Sequence, residues 1–93
     1  MITDIPALLS TARRYQPDLV AFLRDLVRIP TVNGLHSEAP LAERIQAEAV
    51  KLGLESHLVA LQPERPNILV TYGTGAERFA LIGHMDTVAE EIQ

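Results

Sequence analysis

The stretch FALIGHMDTV, Phe79 to Val88, decides how the chain is read. From Phe79 to Ile82 the residues are apolar without alternation. Such a run predicts a strand covered on both faces, as in the middle of an α/β sheet. The run stops at His84, and Asp86 follows two residues later. In open α/β sheets ligands gather at the carboxyl ends of strands, which is where His84 stands. The pair is then either a polar strand end or half of a metal site. Spacing alone leaves both readings open, because H-x-D is short enough to recur by chance. Gly83 would let other backbone approach closely just before the histidine.

Upstream of that run, Gly73 to Glu77 forms a turn. The segment GTGAER begins like a phosphate loop but lacks the Lys-Ser/Thr ending, and Arg78 stands where a third glycine would be. Gly73 and Gly75 are therefore expected to be hairpin-turn glycines joining two strands. NILVTY, 67–72, is β-branched and apolar and reads as a strand. LESHLVAL, 54–61, alternates in its first half, with Leu54, Ser56 and Leu58 on one side and His57 exposed. The short turn QPERP between them favours antiparallel pairing. Arg65-Pro66-Asn67 closes that turn and opens the strand, and Asn67 is suited to local backbone bonding.

Two helices precede the strands. PLAERIQAEAVKLG, 40–53, places Leu41, Ile45, Ala49 and Leu52 on one face, with Gly53 as the left-handed residue that ends it. Ser37 is its expected cap, and Pro40 falls in its first turn. PDLVAFLRDLVRIP, 17–30, carries Leu19, Phe22, Leu23, Leu26 and Val27 at helical spacing. Pro17 is expected in its first turn, and Pro30 ends the pattern. TVNGLHSEAP between the helices is a loop, in which His36 reads as a solvent-facing or capping residue rather than a ligand. The order helix, helix, strand, strand, strand defines an α/β chain.

Composition narrows the function. The net charge is −4 with no basic patch, which argues against nucleic acid. With no cysteine, a zinc site would have to be built from His, Asp and Glu. The N-terminal stretch has neither a signal core nor a membrane span, so the expectation is a cytoplasmic protein with no membrane partner. An H-x-H-x-D pattern would need histidine where Ile82 stands, and neither H-E-x-x-H nor G-x-S-x-G occurs. A central strand needs two neighbours and two covering layers. The 93 residues offer two helices and two other strands, so residues 1–93 read as the N-terminal part of a longer catalytic domain.

Four segments in order, LVRIPTVNG, KLGLE, RPNILV and ALIGHMDTV, resemble the N-terminal start of the zinc-dependent aminoacylase and carboxypeptidase family. That family includes acetylornithine deacetylases and succinyl-diaminopimelate desuccinylases. GHMDTV is the specific part, and the resemblance runs from about Leu19 to Val88. It implies the start of a mixed-sheet zinc-peptidase domain and hydrolysis of an amide by metal-activated water. The substrate would be a small N-acyl amino acid or a short peptide. His84 would be a metal ligand of a two-zinc centre, with cobalt or manganese as substitutes. Asp86 would be its catalytic-site partner, orienting the ring and tuning its basicity.

The resemblance also implies a dimerisation domain, a homodimeric parent, a Glu-Glu pair and further ligands, none of them within this chain. Glu90-Glu91 lies too close to Asp86 to be that pair, and Ala89-Glu90-Glu91 departs from the pro-line or aromatic residue many members carry there. One imidazole cannot close a zinc site, so the isolated chain is expected to be inactive with weak metal affinity. The alternative is a non-catalytic module that keeps the fold start and binds a partner through an open sheet edge.

Overall fold

The computed structural model describes residues 4–89. Glu90 and Glu91 lie outside the described residues. The elements are α1 (Ile5–Val27), α2 (Ala39–Lys51), β1 (Glu55–Val59) and β2 (Asn67–Thr71). The two strands form an antiparallel pair in which Glu55 faces Thr71, His57 faces Leu69 and Val59 faces Asn67. The chain is α/β, with two helices and one two-stranded sheet among the described residues.

Helix α1 starts twelve residues earlier than its apolar stripe predicts. Asp4 caps it, its Oδ1 accepting from the Ala7 N–H at 3.0 Å. Ala7, Leu8, Leu9, Ala12, Arg13 and Arg14 are all strong helix formers, and they carry the helix up to Pro17. Pro17 is therefore inside the helix, not in its first turn. A proline there removes the bond to the Arg13 carbonyl. Arg13 is exposed, so water can take that carbonyl. No described residue of α1 is buried, and of the predicted stripe only Phe22 and Leu26 are even partly covered.

Arg44 of α2 ties the two helices together. It bonds Asp25 and Glu48, each at 3.0 Å, and its guanidinium lies 4.9 Å from the Phe22 ring. Asp25 first, and then Glu48, raises the Arg44 pKa further above its ordinary value.

Helix α2 holds the buried apolar residues Leu41, Ala42 and Ala49, and it packs against both strands. Leu52, expected on the same face, is exposed. On the hairpin the better-covered side chains, Ser56 and Ile68, belong to one row of the register, which is the row that alternation in 54–58 predicts. His57 is exposed, as expected. Ser37 Oγ accepts from the Ala39 N–H at 3.0 Å, so it serves the helix start even though the cap position belongs to Glu38.

The C-terminus of α2 is a Schellman turn. Leu54 N–H reaches the Ala49 carbonyl at 2.8 Å, and Gly53 N–H reaches Val50 at 3.0 Å, with Gly53 at φ +75°.

The third strand does not form. Residues 79–86 pair with neither β1 nor β2, and Phe79 and Ile82 are 88% and 96% exposed. The reason is physical. A strand of this composition is stabilised by neighbours on its edges and cover on its faces. Among the described residues α2 is already occupied by the hairpin, and α1 buries nothing. Gly73 and Gly75 consequently follow one strand and do not link two; Gly73 keeps the positive φ, +86°, of a turn residue.

A Cβ at Gly53 would meet no atom within 4 Å, so the cost of Gly53→Ala is conformational. We expect that substitution to lower stability by about 1 kcal/mol. Gly75→Ala, at a position without positive φ, should change it by less than about 0.5 kcal/mol. Urea unfolding followed by far-ultraviolet circular dichroism reads both, and equal effects would contradict the turn assignment.

Candidate metal-ligand site

The loop after α1 and the segment after Gly83 meet backbone to backbone. Val32 and Thr87 form a parallel bridge. Asn33 N–H donates to the Thr87 carbonyl at 2.9 Å, and Thr87 N–H donates to the Thr31 carbonyl at 2.9 Å. Two motifs that begin 54 residues apart in the chain, IPTVNG at Ile29 and GHMDTV at Gly83, are thus parts of one structure.

His84 stands at the mouth of a cleft of about 330 Å³ that Glu38, Arg65, Pro66, Asn67 and Asp86 also line. Its Nδ1 lies 2.8 Å from the Asp86 carbonyl oxygen and 3.1 Å from Asp86 Oδ1. A carbonyl oxygen only accepts, so Nδ1 is the donor and carries the proton. In the neutral ring the lone pair is then on Nε2, the atom free to meet a ligand. The His84 side chain is 85% exposed. An exposed pair of this kind contributes at most about 1 kcal/mol, so the contact orients the ring more than it stabilises the fold. Asp86 is thus the residue in contact with the His84 ring.

Beside the histidine lies a buried charge. Glu38 is 6% exposed, and its Oε1 accepts from Arg65 Nη2 at 2.9 Å. The same Nη2 also donates to Asn33 Oδ1 at 2.7 Å. Glu38 Oε2 is buried with no hydrogen-bond partner among the described residues. The Glu64 carbonyl, next to Arg65, accepts from Ser37 Oγ at 2.7 Å and from Glu38 N–H at 3.0 Å.

His36 is exposed, as expected, and its Nδ1 accepts from the Val32 N–H at 3.1 Å, a contact within the loop and not a helix cap. Among the described residues no three His, Asp or Glu side chains converge as a metal would require. His84 fits as one imidazole corner of such a site, and the described residues do not close it. No described helix is long and apolar enough to cross a membrane.

Sequence reasoning singled out His84 and Asp86, which the structure places in contact, and did not group Asn33, Glu38 and Arg65. Each was assigned to a loop or turn on local grounds. Their contacts span 27 and 32 residues, and no periodicity reports on pairs so far apart.

No family model matches the chain, and no solved structure matches it. Over 90 residues, 95% of its length, it is 36% identical to an Escherichia coli K12 protein known as the uncharacterized protein YgeY, covering 21% of that protein. Over 73 residues, 78% of its length, it is 30% identical to a probable succinyl-diaminopimelate desuccinylase of Staphylococcus epidermidis, covering 18% of it. The chain spans about a fifth of the length of these curated relatives. Its sequence is thus partly similar to that of a hydrolase.

The His84 contact predicts the Nδ1–H tautomer for the neutral ring. Ring nitrogen shifts from NMR of the chain should show it, and Asp86→Ala, which removes the carboxylate contact but keeps the carbonyl one, should weaken the Nδ1–H preference without reversing it. A wild-type ring predominantly in the Nε2–H form would contradict the geometry.

Proposed function

We propose that the chain is the N-terminal part of the catalytic domain of a metal-dependent hydrolase that cleaves an amide bond, releasing an acyl group or a terminal residue. The observation that carries this reading is the seating of His84. Its ring is held at Nδ1 by Asp86, with Nε2 directed away from that contact, on a segment bridged to the loop after α1. Partial similarity to a desuccinylase supports the same reaction class.

In this proposal His84 supplies one imidazole ligand to a zinc centre, with cobalt or manganese as alternatives. Bound zinc would supply an activated water and polarisation of the scissile carbonyl. This chain's residues have narrower tasks. Asp86 fixes the tautomer and orientation of His84 and raises its basicity as a ligand. The cleft beside Arg65 and Asn67 admits a small polar substrate, an N-acyl amino acid or short peptide. The remaining ligands and the general base belong to sequence other than this chain. The exposed apolar residues Phe79, Leu81 and Ile82 suit a strand that such sequence covers. The reading includes a cytoplasmic, homodimeric parent.

Zinc titration of the chain, followed at the three histidine rings, tests the ligand role. The expected outcome is weak binding that moves His84 and leaves His36 and His57 in place. Asp86→Ala, which leaves the Asp86 carbonyl contact in place, should weaken that binding by up to about 10-fold. Zinc shifts confined to His36 or His57 would overturn the assignment.

A further inference from the structure

We propose that Arg65 is a positioning residue for His84, acting through Asn33 and Thr87. The inference rests on the reading of His84 as a ligand, because only then does the height of that ring matter. Among the described residues, two backbone hydrogen bonds tie the stretch from Tyr72 to Ala89 to the rest of the molecule. They are Asn33 N–H to Thr87 O and Thr87 N–H to Thr31 O. His84 is three residues from that anchor, and its own ring contacts, to Asp86, are local. Where His84 sits therefore depends on where Thr31 to Asn33 sit.

Arg65 fixes that loop. One guanidinium nitrogen donates to Asn33 Oδ1 at 2.7 Å and to Glu38 Oε1 at 2.9 Å, so it clamps the middle of the loop between the helices to its C-terminal end. The turn beside it is held to the same loop by the two bonds to the Glu64 carbonyl. Glu38 is buried and its second oxygen is unpartnered among the described residues, so Arg65 is its compensating cation there. A buried carboxylate without its cation is costly, which keeps the clamp shut. The line of force runs from Glu38 and Arg65 to Asn33, across to Thr87, and along one residue to Asp86, which orients the ring. Arginine is suited to this because its planar fork serves two acceptors at fixed directions, whereas an ammonium is a point charge.

The experiment is amide hydrogen exchange by NMR on the metal-free 93-residue chain, with the His84 ring nitrogens recorded at one pH where the imidazole is neutral. Arg65→Gln should lower protection of the Thr87 amide about tenfold or more, leave the Ser56–Val70 ladder protected, and loosen the His84 tautomer preference. Arg65→Lys should retain part of that protection. Asn33→Ala removes the Arg65–Asn33 side-chain bond while leaving the Arg65–Glu38 pair and the Asn33 backbone N–H in place, and it should reproduce the Thr87 effect. If Arg65→Gln unfolds the hairpin, Asn33→Ala decides. Unchanged Thr87 protection and an unchanged His84 ring in Asn33→Ala would overturn the proposal. Because the readout uses no metal, it separates from the zinc titration: a failed titration with a responsive Thr87 overturns the ligand role and leaves the clamp standing.

Discussion

A single guanidinium nitrogen of Arg65, shared between Asn33 and Glu38, is the contact on which the site depends. It joins the turn before β2 to the middle and the C-terminal end of the loop between the helices. That loop in turn carries the bridge to Thr87. Without the clamp, the segment bearing His84 and Asp86 would have only a loop to rest on. The pairing of a buried acid with a partly exposed base explains why the contact is specific. The acid cannot be left alone, and the base has a second acceptor that fixes its direction.

The rest of the molecule divides into a braced part and an uncovered part. Helix α2, which ends in the Schellman turn at Gly53, carries the buried Leu41, Ala42 and Ala49 and packs against the hairpin. Helix α1 touches α2 near Phe22 and Asp25 and otherwise presents Leu8, Leu9, Leu19 and Leu23 outward. Phe79, Leu81 and Ile82 are likewise outward. The site lies where the two parts meet, in the cleft between the braced turn at Arg65 and the segment from Gly83 to Asp86.

Much of the braced part was legible from local sequence. The period of α2, its glycine stop, the alternation in β1 and the turn before Asn67 are all short-range signals, and each corresponds to a feature of the fold. The failures have different causes. Pro17 marked a start that the helix formers before it override. The apolar run at Phe79 reports what that segment would prefer to have around it, not what the described residues provide. The contact between His84 and Asp86 was legible because they are two residues apart. Asn33, Glu38 and Arg65 were not, because their contacts close only after the chain has passed through α2 and β1.

The central claim, that the GHMDTV segment is seated on the loop after α1, rests on one hydrogen bond more than any other. A through-hydrogen-bond scalar coupling between the Asn33 amide nitrogen and the Thr87 carbonyl carbon tests it directly by NMR. The account predicts a measurable coupling across that 2.9 Å contact. Its absence, with the β1–β2 couplings present in the same spectrum, would contradict the account.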